Sequence, residues 1–493
     1  MEPFHTLTVI YTENFASIAV DWWLAPSPAR LQRPESRPRT LPRIRTELPT
    51  DSEFPHACRM EYMELPDDVL ADVLRRVAPR GLAACRCVCA AWRALIDGRG
   101  LLRADLLPRS LAGIVLSYCN LQHAELFARP PVDVLDHDMP NTQVLDHCAG
   151  LLLLYDWVLN PATGRCATLP DRPAPRAGME CFLDDEYLAF DPADSPHYEV
   201  LLIPSVPCDP PFGDPLERVV GGAMMRSEWP PSPFVLSVFS STTGLWEERS
   251  FLRQGEAAGT VADMQLGQRY GLSSRHAEYW RGALYVHCQT DFVMRISLSN
   301  STYRVIKPSG GIEMFRDQKF HLGRSQNGIY FASLDDKLRI WVWILDESCD
   351  QIEWRLRHCS SGQELEVLKL RSDRGPWILS NENANSEIED DDDGKALEYE
   401  WDSDDDDILH TDGRVTNCSI TDFHILGFHP YKEIIFLRIW SKRGLAYHLS
   451  TSKVEDLGNL FPKDYVSVQS THVCIEGSFP YTPCWMGELP EIF

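Results

Sequence analysis

Apolar positions along the chain change their period near residue 112. Leu65-Pro66-Asp67-Asp68 has the form of a helix start, with proline suited to the first turn and two acids facing the positive end of the helix dipole. Behind it, Val69, Leu70, Val73, Leu74 and Val77 recur at helical spacing and form one stripe. Pro79 and Gly81 break that helix. A second is predicted from about Leu82 to Ile96, with Leu82, Cys85, Val88, Cys89, Trp92, Leu95 and Ile96 on its apolar face. Two or three short helices bury too little surface to stand alone, so this segment needs a partner.

Beyond residue 112 the pattern is that of strands. Runs rich in β-branched, aromatic and leucine residues, among them Gly113–Cys119, Gly150–Leu159, Tyr198–Pro204, Phe234–Phe239, Leu338–Leu345 and Glu433–Trp440, alternate with turn clusters. No comparably amphipathic helix stands out between them, which predicts antiparallel meanders rather than a parallel sheet with helical crossovers. A weak repeat is visible, in which a strand ends in a small polar turn and another strand follows. Its turns are Asn160–Gly164, Ser241–Gly244, Ser299–Thr302, Asp346–Cys349 and Ser450–Ser452, with Asp191-Pro192 as a degenerate member. Spacings of 31 to 58 residues, apart from one gap of 104 that is expected to hold a further unit, bracket the length of a four-stranded propeller blade. The domain expected over residues 112–490 is therefore a large all-β propeller-like one of about six to eight blades.

Two segments fall outside both patterns. Residues 1–60 read as a disordered leader rich in Pro and Arg. Residues 381–407 hold fourteen Asp/Glu and one Lys, and so carry −13 of the net charge of −25. That segment is expected to be an acidic, disordered insertion in the propeller. Such a balance argues against nucleic acid or an anionic membrane as a partner. Fifteen scattered cysteines with no CxxC pair fit reduced thiols in the cytoplasm or nucleus. No signal peptide and no apolar stretch of spanning length is present.

Leu65-Pro66-Asp67-Asp68-Val69-Leu70, followed by Val73-Leu74 and Cys87-Val88-Cys89-Ala90-Ala91-Trp92-Arg93-Ala94-Leu95-Ile96, closely resembles the F-box of plant F-box proteins. The downstream chain resembles the propeller-like domain attached to many of them, on Cys148-Ala149-Gly150-Leu151-Leu152-Leu153-Leu154, Asn160-Pro161-Ala162-Thr163, Tyr187-Leu188-Ala189-Phe190-Asp191-Pro192 and Phe479-Pro480-Tyr481-Thr482-Pro483-Cys484-Trp485. The resemblance implies a small all-α F-box module at 63–103 and the substrate-recognition subunit of a Skp–cullin–F-box ubiquitin ligase. The module would bind a Skp-type adaptor and through it a cullin, and the propeller would bind an unknown protein substrate. Adaptor-binding candidates carried over by motif are Leu65, Pro66, Val69, Leu70, Leu74, Leu82, Cys85, Val88, Cys89 and Trp92. Two features depart from the family: Ala90-Ala91 stands where a polar or basic residue is usual, and a long leader precedes the module. Residues 63–103 carry seven Arg against five Asp/Glu, a locally basic face suited to an acidic adaptor.

Nothing in the sequence asks for catalysis, a cofactor or a metal. Cys85, Cys87 and Cys89 cannot converge on a metal from a helix, because two residues turn the chain by about 200°. His147-Cys148 lie on a predicted strand, where neighbours point to opposite faces and do not form a nucleophile–base pair. Nucleotide, zinc-protease and hydrolase motifs are absent. The alternative reading is a propeller enzyme or sugar-binding protein with structural N-terminal helices, for which a polar, convergent central channel would be the sign.

Overall fold

Four consecutive leucines show how the β-rich part is built. In the computed structural model, Leu151–Leu154 is the second strand of an antiparallel sheet that begins with Val144–Cys148. Successive side chains leave a strand on opposite faces. Leu151 and Leu153 enter one core with Val200 and Phe239, while Leu152 and Leu154 enter another with Val115 and Leu126. A sheet covered on both faces presents no polar side, which is why this run shows no alternation.

The structure describes residues 66–77, 82, 85, 90–99, 101, 110–119, 121, 123–130, 142–207, 216–266, 276–308, 320–348, 352–366, 369–370, 375–380, 414–415, 423–439, 442–462, 475–484 and 489. The leader 1–60 and the acidic segment 381–407 lie outside them. The chain divides into two units, Met1–Leu107 and Pro108–Phe493.

Among the described residues, the second unit is mostly strand and repeats one arrangement six times. Four antiparallel strands form each sheet, and the sheets begin with Val144–Cys148, Leu183–Ala189, Ala277–Trp280, Phe320–Ser325, Phe423–Phe428 and Ile475–Tyr481. These first strands touch one another in that order, and the last touches the first. Between each pair of neighbouring sheets lies one apolar core, and the six cores follow the same closed cycle. The second and third sheets are also joined at their outer strands by parallel pairing of Leu252 with Thr302 and Gln254 with Arg304.

The sixth sheet is assembled from distant parts of the chain. Its first strand is Ile475–Tyr481, its second Gly113–Tyr118, its third Glu125–Ala128 and its fourth Ile378–Leu379. Gly113 pairs with Tyr481 and Val115 with Phe479, so the cycle is closed by hydrogen bonds between strands more than 350 positions apart.

Five polar turns of the weak sequence repeat occupy one structural position, the hairpin from third to fourth strand in the first five sheets. The sixth sheet shows no such turn because its third and fourth strands are not consecutive. Two expectations are corrected. Asp191-Pro192 joins the first and second strands of its sheet and is not a member of that series. The gap between Asp346 and Ser450 holds no additional four-stranded sheet among the described residues; besides strands of the fifth sheet it supplies Ile378–Leu379 to the edge of the sixth, and a two-stranded sheet of Lys369–Leu370 with Arg414–Val415.

Helices also occur in connections where none stood out in the sequence. Leu216–Met225, interrupted at Gly221 with φ 80°, and Val261–Leu266 pack Met225, Val261 and Met264 into the core between the second and third sheets. Their shortness, and Gly221-Gly222 within the first, hide any helical period.

In the first unit, the described residues include helices Asp67–Leu74 and Ala90–Gly98, with Leu82 and Cys85 also helical. Leu74, Leu82, Cys85 and Ile96 are buried together, and Leu70, Val77, Trp92, Leu95 and Leu101 pack against them.

Candidate functional site

Helix Asp67–Leu74 begins at Pro66, which supplies no side-chain cap; Asp67 and Asp68 in the first turn offset the helix dipole instead. An ion pair from Arg99 Nη2 to Asp68 Oδ1, at 2.7 Å, ties the end of helix Ala90–Gly98 to this turn. Both partners are exposed, so the pair contributes at most about 1 kcal/mol. The apolar stripe then divides into two lines. Leu70 and Leu74 turn inward to the small core, while Val69 and Val73, one helical turn apart, remain 45% and 39% exposed, and Pro66 is exposed beside them.

This division sorts the adaptor-facing candidates. Pro66 and Val69 are on the surface. Leu70 and Trp92 are half-buried against the core. Leu74, Leu82 and Cys85 form the core itself, so they hold the helices together instead of offering a face. Leu65, Val88 and Cys89 lie outside the described residues. Val73, part of the sequence stripe but absent from the candidates, joins Pro66 and Val69 on the exposed line.

A second constellation lines the centre of the six-sheet unit. Asp146 and His147, His276 and Glu278, and His321 come from three different first strands or their margins, and they border one small cavity of about 20 Å³ together with Ser478 and Phe479. The rings of His276 and His321 lie 3.8 Å apart, and His147 packs against Phe479 at 5.4 Å. Burial lowers His147 to about 4, with Arg324 adding to the effect, and lowers His321 to about 3, with His287 and His147 adding. His276 is lowered in the same way. Burial raises Glu278 to about 7 against the pull of Arg324. Asp146 is also raised by burial, although the Leu188 amide donates to its Oδ2 at 2.8 Å.

Sequence reasoning singled out His147 only with Cys148. The two diverge: the Cys148 thiol donates to the Phe190 carbonyl at 3.1 Å, packs in the core between the first two sheets and is pushed up by burial. Asp146, His276, Glu278 and His321 were missed. Their signal is the interruption of apolar strands by titratable groups, which is visible only once those strands are known to be the innermost. Among the described residues, no three His, Cys, Asp or Glu side chains are arranged to hold a metal ion. No helix among them is long and apolar enough to cross a membrane.

The pairing of exposed Pro66, Val69 and Val73 with a small internal core belongs to a segment that comparison identifies. Residues 63–103 match the F-box domain. The F-box match covers the helical unit and none of the sheets. No curated protein matches the chain. Two solved structures resemble it distantly. One is a 6-phosphogluconolactonase candidate from Bacteroides uniformis, 11% identical, with a TM-score of 0.26, over 62% of this chain and 63% of that one. The chain thus spans less than two thirds of that structure's length. The other is the computationally designed Ika8 protein, 11% identical, with a TM-score of 0.30, over 71% of this chain and 88% of that one.

Proposed function

We propose that this protein is the substrate-receptor subunit of a Skp–cullin–F-box ubiquitin ligase, working in the cytoplasm or nucleus. The F-box unit docks a Skp-type adaptor, which carries the cullin. The six-sheet unit, read as a six-bladed propeller-like domain, selects the protein to be ubiquitinated. The F-box match at 63–103 carries this reading. The exposed line of Pro66, Val69 and Val73 supports it, because an apolar stripe left in solvent on a short helix is the form taken by helix-docking surfaces. Leu65, Val88 and Cys89 remain proposed contacts on their motif match alone, and Leu70 and Trp92 border the face. The subunit itself supplies no chemistry; ubiquitin transfer belongs to its partners.

A pull-down of the full chain with a Skp-type adaptor tests the reading. Paired substitutions Val69→Asp and Val73→Asp are expected to abolish capture while circular dichroism shows both units folded. Undiminished capture by that double variant would remove the proposed face.

The polar centre favours a second reading, a propeller enzyme or sugar-binding protein with structural N-terminal helices. Its observation is the convergence of His147, His276, His321, Asp146 and Glu278 on one cavity. A small sugar that slows amide exchange in Val144–Cys148 and Phe320–Ser325 would support it, and no adaptor binding would then be expected.

A further inference from the structure

Among the described residues only two Phe, Tyr or Trp side chains are exposed, Tyr155 at 57% and Trp157 at 39%. They lie two positions apart, where the first sheet turns from its second strand, Leu151–Leu154, to its third, Trp157–Asn160. Leaving two large apolar side chains in water forfeits burial that the other aromatic residues gain. Tyr155 is also held in place. The Arg172 guanidinium lies 4.0 Å from the centre of its ring. That guanidinium is itself fixed. It donates to Glu186 through Nε at 2.5 Å and Nη2 at 2.9 Å, to Asp156 Oδ1 at 3.2 Å, and to the Tyr155 carbonyl. Arg172 thus backs one side of the ring and leaves the rest to solvent. An exposed Tyr pinned beside a Trp is suited to anchor an interface, since little side-chain freedom remains to be lost on binding.

The surroundings set the charge of the partner. Pro170–Glu186 together with Asp156 carry six Asp/Glu and two Arg. Asp156 and Glu186 are engaged by Arg172. Asp171, next to Arg172, and Asp184, which leaves its strand on the same face as Glu186, are exposed. Neither of these two carboxylates has an ion pair or hydrogen bond among the described residues. Partial burial first, and then the charges of Asp185 and Glu186, raise the Asp184 pKa. A cation placed there relieves that repulsion. An arginine or lysine can lay its apolar stem on the open aromatic surface while its head meets the carboxylates.

We propose that this turn, Tyr155-Asp156-Trp157 with Asp171 and Asp184 beside it, docks a basic segment of a partner protein, one that presents arginine or lysine next to apolar side chains. The proposal rests on the receptor reading only in taking that partner to be the protein selected for ubiquitination.

Decapeptide pools with Arg, Lys, Glu or Leu fixed at the centre and the other positions degenerate test it on the immobilised full chain, at about 0.15 M salt to screen the chain's diffuse negative charge. The Arg and Lys pools are expected to be retained at least about tenfold more than the Glu pool. Tyr155→Ala with Trp157→Ala is expected to lower that retention about tenfold with the melting temperature kept, because both side chains are exposed. Asp171→Asn with Asp184→Asn is expected to bring the Arg and Lys pools down to the level of the Leu pool. Glu256→Gln with Asp336→Asn removes the same charge from exposed positions elsewhere and is expected to change nothing. A wild-type chain that retains no pool, or prefers none, overturns the proposal. So does retention that survives loss of the two aromatic side chains, or that falls equally in the Glu256 and Asp336 variant. The aromatic double variant is expected to capture a Skp-type adaptor as fully as wild type. A wild-type chain that retains basic peptides but captures no adaptor would overturn the receptor reading and leave this surface standing.

Discussion

Val69 and Val73 are apolar side chains that the F-box unit leaves in solvent, whereas Leu74, on the same helix, is buried. Substitution by aspartate should therefore act differently at the two kinds of position. At Val69 or Val73 the lost apolar burial is worth on the order of 1–2 kcal/mol in the complex, roughly tenfold or more in adaptor affinity. At Leu74 a buried carboxylate and a cavity should cost at least about 3 kcal/mol and unfold the helices. Helical circular dichroism of residues 60–107 within the full chain's difference spectrum, read beside the pull-down, separates these outcomes. The stripe was legible in the sequence. Its division was not, because helical spacing alone does not say which of two adjacent lines meets the module's own core.

The central histidines make a pH prediction at the same scale. A native imidazole with a lowered pKa refuses a proton that the unfolded chain accepts. His147, His276 and His321 therefore cost stability as pH falls below 6.5, toward folded values of about 4 for His147 and about 3 for His321. Asp146 and Glu278 act in the opposite sense. They keep a proton that the unfolded chain releases, so their contribution is present at low pH and is lost for Glu278 as pH rises from 4.5 to about 7. The two sets partly offset each other above pH 4.5; below it Glu278 no longer opposes the histidines, and Asp146 opposes them only down to its ordinary value of 3.8. Stability should thus fall most steeply below about pH 4.5. For His321→Asn, urea unfolding between pH 3.5 and 6 should show an acid limb shallower by up to about one proton.

At the scale of elements, two hairpins offer a controlled comparison. Ala149-Gly150 and Arg281-Gly282 each join a first strand to a second in two residues, and all four have positive φ. That is the backbone of a type I′ turn, whose twist matches the flanking strands. They differ in surroundings. A Cβ on Gly150 would lie 2.4 Å from the Thr482 carbonyl oxygen, whereas one on Gly282 meets nothing within 4 Å. Gly282→Ala should cost about 1 kcal/mol through its backbone alone. Gly150→Ala should cost at least about 2–4 kcal/mol, because strand or seam must shift. Equilibrium unfolding of the two variants measures the difference.

The same seam explains which sequence marks carried information. Asn160 Nδ2 donates to the Cys484 carbonyl at 2.9 Å, and Gly150 is closely approached by Thr482 and Cys484. The Cys148–Leu154 run, the Asn160 turn and the Phe479–Cys484 segment, far apart in sequence, thus meet where the sixth sheet adjoins the first. The polar turns were legible because each serves the same third-to-fourth hairpin. Ile378–Leu379 was not, since a two-residue strand carries no period and its pairing partner lies some 250 residues away.

The whole molecule joins a small helical unit to a six-sheet unit, and each has apolar cores drawn from its own residues. Removing residues 1–107 should leave the thermal midpoint of the six-sheet unit within a few degrees while ending adaptor capture; differential scanning calorimetry of the truncated chain checks this. Ending the chain at residue 474 should have the reverse effect. It removes Ile475–Tyr481, leaves Gly113–Tyr118 without its inner neighbour and uncovers the cores on either side. Amide exchange should then accelerate in Gly113–Tyr118 and Val144–Cys148 before the other first strands.

Closure by Ile475–Tyr481 also sets a timetable. A ribosome adding about 5–20 residues per second takes roughly 20–70 s to travel from the second strand of the closing sheet to its first. Throughout that interval one edge of Gly113–Tyr118 lacks its strand partner while Glu125–Ala128 covers the other, and such an open edge recruits foreign strands. The F-box helices, already emerged, have no such wait. A nascent chain can therefore complete its F-box helices well before its six-sheet unit closes, and Gly113–Tyr118 stays open to foreign strands until synthesis reaches the closing strand.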